Sequence, residues 1–174
     1  YGAAAQVNFN YDTENLVTND LTEAQLALGT QNAPDAQDYA SVSGSGVAVN
    51  TSIAVRSKVE LTLSCIAAGQ TGVKCVITDE GGKTLAELPV TTLGGVMHSA
   101  KYDNVGAKEM RNVITATFYN EAGTAISQTI HWSVESYVAA TRANSASSEA
   151  LINAVDAMLI YGDSAAVYLK STGQ

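Results

Sequence analysis

The chain has 174 residues, 15% of them charged, and a formal net charge of −8. This length suits one ordinary core, alone or with a helical annex, and the nine Lys and Arg residues are scattered singly, which argues against nucleic acid as a partner. Although 46% of the residues are hydrophobic, no uninterrupted apolar run approaches the roughly 20 residues that cross a bilayer, so we expect no membrane insertion.

The opening of the chain repeats a segment near its end. Residues 1–7, YGAAAQV, align with residues 161–167, YGDSAAV, and share the Tyr, the Gly, one Ala and the Val. Repeated segments at a fixed spacing are typical of tandem arrays. We therefore interpret residues 1–10 as the tail of a helix from a preceding unit, and the chain as one unit of an array.

The N-terminal segment, residues 1–46, is expected to be helical and then irregular. Residues 22–25, TEAQ, have the form of a capping box, in which the Thr hydroxyl and the Gln amide each satisfy a backbone group, so a short helix is predicted there. Residues 30–46 are rich in Asn, Asp, Ser and Gly and contain Pro34, which predicts a loop leading into a sheet region.

From Val47 to about Trp132 the apolar residues alternate with polar ones, as in one-sided strands. Hairpin turns are predicted at residues 79–83 and 120–123, where Gly123 can adopt the positive φ of a short turn. About seven short strands at this spacing predict an immunoglobulin-like antiparallel β-sandwich over residues 47–133.

Cys65 and Cys75 are predicted on the inward faces of adjacent strands. A disulfide between them and a pair of buried free thiols are both compatible with that placement, because opposed strand positions often give poor disulfide geometry.

Residues 134–174 return to helical periodicity. A short helix is predicted around Val134 and Val138, followed by a polar turn and a long helix over residues 147–168. Ser147 and Ser148 are candidate N-caps of the long helix, and its buried face is predicted at Leu151, Val155, Met158 and Leu159. With the N-terminal segment these helices would form a helical annex, which makes the fold class α+β. In an array, this annex is expected to join the chain to its partners, the neighbouring units of the same chain.

The sequence offers no recognisable catalytic frame. His98 and His131 are the only histidines, and neither lies in an HExxH motif or beside a CxxC pair. Gly44-Ser45-Gly46 lacks the strand-to-helix context of a nucleophile elbow. We therefore expect a non-enzymatic protein with no cofactor and no metal site.

Three stretches of the chain carry the motifs S-V-x-x-Y and M-L-x-Y-G-x-x-A and their continuation: VITATFYNEAGTAISQTIHWSVESYVA, ALINAVDAMLIYGDSAAVY and the opening YGAAAQVNFNYDTENL. On these stretches, roughly the first 20 and the last 60 residues of the chain resemble the repeated modules of very large surface proteins of gut Clostridia. Its motif residues Val134, Tyr137, Tyr161 and Gly162 look like packing positions. The two similar segments differ at Asp163 and Ser164, which align with Ala3 and Ala4 in the opening segment.

Some proteins of this type bind immunoglobulins in a superantigen-like manner. The resemblance therefore implies an extracellular module, on the bacterial surface or secreted, that binds host immunoglobulin variable domains. A structural spacer and a glycan-binding adhesion module are the alternatives.

The segment between the hairpins is the one that the core pattern explains least, and it combines an aromatic ring with hydrogen-bonding groups. The partner-binding residues predicted there are His98, Lys101, Tyr102, Asp103, Asn104 and Lys108.

Overall fold

The computed structural model describes residues 1–10, 14, 23, 47–55 and 59–171. The protein is α+β, as predicted, with helices in one compact unit and strands in another. The helical unit includes residues 107–111, which the sequence places among the strands. The predicted capping box at residues 22–25, apart from Glu23, and the loop over residues 30–46 lie outside the described residues.

Two four-stranded antiparallel sheets make up the strand unit. The strands are β1 (Val49–Val55), β2 (Val59–Ile66), β3 (Lys74–Asp79), β4 (Thr84–Pro89), β5 (Thr91–Leu93), β6 (Met97–Val105), β7 (Ile114–Tyr119) and β8 (Ile130–Trp132). The first sheet has the order β1-β2-β6-β5 and the second the order β4-β3-β7-β8. The chain passes from the edge of the second sheet to the edge of the first between β4 and β5.

The predicted alternation is confirmed in the central strands. On β2, Leu61, Leu63 and Cys65 are fully buried, while the residues between them are only partly covered. On β7, Phe118 is fully buried beside Ala116. Because neighbouring side chains point to opposite faces of a strand, each sheet has one apolar face, and these faces supply the core of the unit.

The predicted hairpin at residues 120–123 is confirmed. Gly123 has φ of 77°, and its amide donates a 2.9 Å hydrogen bond to the carbonyl of Asn120. A side chain is strained at such a φ, which explains the glycine. Trp132 and Ile130 beyond this turn are buried and His131 between them is exposed, as the alternation predicts.

The two cysteines do not lie on adjacent strands, and that prediction is wrong. Cys65 is on β2 of the first sheet and Cys75 on β3 of the second, because the turn between these strands carries the chain from one sheet to the other. Both are buried free thiols. Burial raises the pKa of Cys75 to about 12, and the nearby charge that Cys65 would carry adds to the effect.

The helical unit contains α1 (Gly2–Asn8), a 3₁₀ helix (Ala107–Glu109), α2 (Val134–Ala143) and α3 (Glu149–Ser171). The hydroxyl of Ser148 accepts a 3.2 Å hydrogen bond from the amide of Leu151, which confirms Ser148 as an N-cap. Val155, Met158 and Leu159 are buried, so the predicted face of the long helix is confirmed, with Leu151 half-buried at its edge.

The 3₁₀ helix and the two residues that follow it, Met110 and Arg111, are held in the helical unit by close packing on α3 and by ion pairs. A Cβ placed on Gly162 would lie 3.0 Å from the carbonyl oxygen of Ala107 and 3.0 Å from Sδ of Met110, so a larger residue would require these neighbours to shift. Arg111 donates from Nε and Nη2 to the carboxylate of Asp163 at 2.7 and 2.8 Å. Its remaining nitrogen, Nη1, pairs with Glu135 of α2.

Helix α3 is long and apolar enough, by length and composition, to cross a membrane: residues 149–170 contain a window with mean hydropathy of 1.3. Residues 149–170 contain three carboxylates, and the two in the interior of the helix are each paired with an arginine of the same unit, Asp156 with Arg142 and Asp163 with Arg111. The absence of membrane insertion remains a prediction.

Candidate binding surface

The six residues predicted to bind a partner do not share one surface. Within β6, His98 and Tyr102 point into the core with Ala100, whereas Lys101 and Asp103 point outward. Asn104 is exposed near the end of the strand, and Lys108 is exposed on the 3₁₀ helix of the other unit. Buried side chains cannot contact a partner, so His98 and Tyr102 are not available as binding residues in this fold.

His98 has a structural role that its hydrogen bonds define. Its Nε2 lies 2.9 Å from the carbonyl oxygen of Ala67, and its Nδ1 lies 3.0 Å from the hydroxyl of Thr92. A carbonyl can only accept, so Nε2 carries a proton and donates. Both ring nitrogens are therefore satisfied, and the imidazole ties β6 to β5 and to the residue after β2.

Lys101 and Asp103 remain accessible on the outward face of the first sheet. The Nζ of Lys101 donates to Oε1 of Glu60 on the neighbouring β2 at 2.8 Å. Lys101 is largely exposed in this pair, and exposed ion pairs contribute only about 0–1 kcal/mol. Separating Lys101 from Glu60 therefore costs little.

An apolar row crosses the same outward face. Ile66 of β2 is opposite Met97 of β6, and Met97 is opposite Leu93 of β5, so the three side chains share one face. Ile66 and Leu93 are 61% and 53% exposed, and Val96 in the adjoining turn is 41% exposed. We name Ile66, Leu93, Val96 and Met97 the apolar row.

Sequence reasoning missed the apolar row. Thr62, Ser64 and Ile66 alternate with the buried residues of β2 and so point outward. This alternation is the sequence signal that predicts an exposed side chain at Ile66. Leu93 and Val96 flank Gly94-Gly95, which indicates a turn. The register that brings them beside Ile66 depends on the pairing of β5 with β6, which the sequence does not show.

A small polar pocket lies at one end of the strand unit. Its volume is about 390 Å³, and it is formed by the β2–β3 and β7–β8 turns through Gly69, Gln70, Thr71, Asn120, Glu121 and Ala122. The amide of Asn120 donates to Oε1 of Gln70 at 3.4 Å, and the backbone amide of Glu121 donates to the carbonyl of Thr71 at 3.2 Å. Among the described residues that line this pocket, none is aromatic.

The described residues contain no group of three or more His, Cys, Asp or Glu side chains that could hold a metal ion. The Arg111 cluster brings Asp163 and Glu135 together, but each carboxylate is committed to the arginine. The hydrogen bond with Asp163 is the largest cause that raises the pKa of Arg111 above its usual value. This cluster joins the 3₁₀ helix, α2 and α3, which is a structural task.

Comparison with protein-family models, with curated proteins and with solved structures found no match.

Proposed function

We propose that the strand unit is an immunoglobulin-like sandwich and that the chain is a non-enzymatic binding module of an extracellular bacterial protein. The strand order supports this assignment. In immunoglobulin constant-type domains one sheet has the order A-B-E-D and the other contains C, F and G. The order β1-β2-β6-β5 matches the first, and β4-β3-β7-β8 matches the second with one additional edge strand.

The binding surface is the outward face of the first sheet, and the observation that carries this proposal is the apolar row. Protein interfaces typically combine an apolar centre with a polar rim. Here the row of Ile66, Leu93, Val96 and Met97 is continued along the sheet by Ser64 and Ser99, and then by Lys101 and Asp103. Two of the predicted binding residues therefore belong to this surface.

The partner we propose is a host immunoglobulin variable domain, bound in a superantigen-like manner. The resemblance to surface proteins of gut Clostridia supports this choice. Binding that ignores antigen specificity needs a contact on the variable-domain framework, outside the antigen-binding loops. Framework surfaces are themselves built from sheets, and a sheet face that carries an apolar row is suited to pack on one.

The test is titration of the chain with a panel of immunoglobulins that differ in variable-domain family. We expect one family to bind regardless of antigen specificity. Replacing Ile66→Ser and Leu93→Ser together should weaken this binding by at least about 30-fold, because two anchors of roughly 1 kcal/mol or more are lost. Lys101→Ala with Asp103→Ala should weaken it less, since rim charges contribute less.

The matched control is Leu85→Ser, which alters an exposed leucine on β4 of the other sheet and should leave affinity unchanged. Unchanged affinity in the Ile66 and Leu93 double variant would contradict the surface. Absence of binding to every immunoglobulin in the panel would contradict the partner and leave the spacer as the better interpretation.

A glycan-binding adhesion module is the second candidate, and the polar pocket of about 390 Å³ is the feature that favours it. Gln70, Asn120 and Glu121 offer donors and acceptors for sugar hydroxyl groups. Sugar sites usually add an aromatic platform, which the described lining of this pocket lacks. Glycan binding abolished by Asn120→Ala, with immunoglobulin binding absent, would favour this candidate.

A further inference from the structure

The short helix α1 and the end of α3 have similar sequences and lie in contact within the same unit. Residues 1–7 and 161–167 both adopt a helical conformation, apart from Tyr1 as the N-cap of α1. Helix α1 packs along α3. The ring of Tyr1 stacks on the ring of Tyr161, with centroids 6.4 Å apart and an angle of 26° between the planes. The repeated tyrosine therefore stacks on its own copy.

Helix α1 depends on this contact. It has seven residues, whereas an isolated helix in water needs roughly 12–15 to be stable. Its Ala3, Ala4 and Ala5 are half-buried, and such small side chains allow two helices to approach closely. The surface of α3 that receives α1 is thus a docking site for a helix of the sequence YGAAAQV. The chain carries a similar segment, residues 161–167, which differs from it at Asp163, Ser164 and Ala166.

The second segment is the end of α3, and it presents different sides to different neighbours. Gly162 and Asp163 face the 3₁₀ helix of their own unit through Ala107 and Arg111. Val167 and Tyr168, in contrast, are 71% and 67% exposed. In α1, Val7, which aligns with Val167, is also exposed, and so is Gly2, which aligns with the buried Gly162.

We infer that the end of α3 in one copy of this chain docks on α3 of the next copy, in the place that α1 occupies here. One helix would then serve two units: Gly162 and Asp163 bind the 3₁₀ helix of the unit to which they belong, and Tyr161 stacks on Tyr161 of the following unit. The partner that binds this site is a second copy of this chain, because α1, which lies on the site here, resembles the end of α3 in sequence. This contact is independent of the identity of any host partner.

The experiment is a tandem chain in which residues 1–168 are followed directly by residues 9–174, so that residues 161–168 of the first copy replace α1 of the second. Asn153, exposed on α3, is changed to Cys in both copies and spin-labelled. The native Cys65 and Cys75 are buried and escape labelling in the folded protein. Pulsed electron paramagnetic resonance should give a single narrow distribution of distances between the two labels.

Two matched variants of the first copy test the tyrosine stack. Tyr161→Ala removes the ring that would stack in the second copy and should broaden the distribution. Tyr1→Ala removes only the stack within the first copy and should leave the distribution narrow. A broad distribution in the parent tandem chain, or a distribution that Tyr161→Ala leaves unchanged, would overturn the inference.

Discussion

Gly162 shows how one residue sets the distance between two elements. In the interior of an exposed helix, replacing Gly with Ala is favourable by up to about 1 kcal/mol. At Gly162 the added methyl group would meet the carbonyl oxygen of Ala107 and the sulfur of Met110, and a backbone oxygen cannot easily yield. We expect Gly162→Ala to lower the free energy of unfolding by about 1–3 kcal/mol, because overpacking outweighs the helix propensity.

The repeat supplies the control for this variant. Gly2 occupies the aligned position in α1 and is exposed, so Gly2→Ala should be neutral or slightly stabilising. Urea denaturation of both variants beside the parent chain measures the difference. Equal effects of the two substitutions would contradict the close packing of α3 on the 3₁₀ helix.

Cys75 makes the free energy of unfolding decrease at alkaline pH. Its pKa is about 12 in the folded protein against 9.0 for an unperturbed thiol, because burial disfavours the thiolate. The contribution of the protonated thiol is fully present below pH 9.0 and declines as the pH rises toward about 12, since the unfolded chain loses its proton first. We expect the free energy of unfolding to fall across this window.

Cys75→Val isolates the contribution of this thiol, because valine keeps an apolar side chain of similar size and has no proton to lose. Its denaturation midpoint should decline less steeply than that of the parent chain between about pH 9 and about pH 11. Parallel declines would show that other groups account for the alkaline loss.

At the scale of elements, β8 is short, and its three residues place one large side chain in the core. Trp132 is buried and lies opposite Ile114 of β7. Trp132→Ala should reduce the free energy of unfolding by roughly 3–5 kcal/mol through the cavity it leaves. His131→Ala, on the exposed face of the same strand, should change it by less than about 0.5 kcal/mol. A Trp132 cost below about 1 kcal/mol would mean that β8 faces the other way.

The strands illustrate which elements the sequence can predict. In β2 the alternation of Leu61, Leu63 and Cys65 with polar residues is regular, and its buried face follows from the period of a strand. In β6 the buried positions are held by His98, Ala100 and Tyr102, two of which carry polar groups. The burial of His98 depends on the Ala67 carbonyl and the Thr92 hydroxyl, which only the fold brings to it.

The sequence also could not predict which strands pair with each other. Gly69 and Gly72 correctly indicate a turn after β2, but a turn that closes a hairpin and a turn that crosses to another sheet use the same residue types. The apolar row depends on this pairing, since Ile66 and Leu93 meet only through β6. The helices were easier to predict because their packing faces lie within one continuous stretch.

At the scale of the whole chain, the two proposals assign different tasks to the two units. The strand unit offers the apolar row to a host protein, and the helical unit offers α3 to another copy of the chain. If both hold, linked copies of the chain present several binding sites for immunoglobulin. A partner that engages two linked sites is bound more tightly than at one, because the second contact forms at a high effective concentration. Modest affinity of a single copy is therefore the expected result.

The contact between α1 and α3 also determines how the chain responds to pulling. Tension applied at Tyr1 and at Ser171 enters through two helices that pack on each other in the helical unit. While that contact holds, the force passes directly from one helix to the other, and the intervening strands carry no load. When the chain is pulled from these two residues, we therefore expect α1 to separate from α3 before the strand unit unfolds.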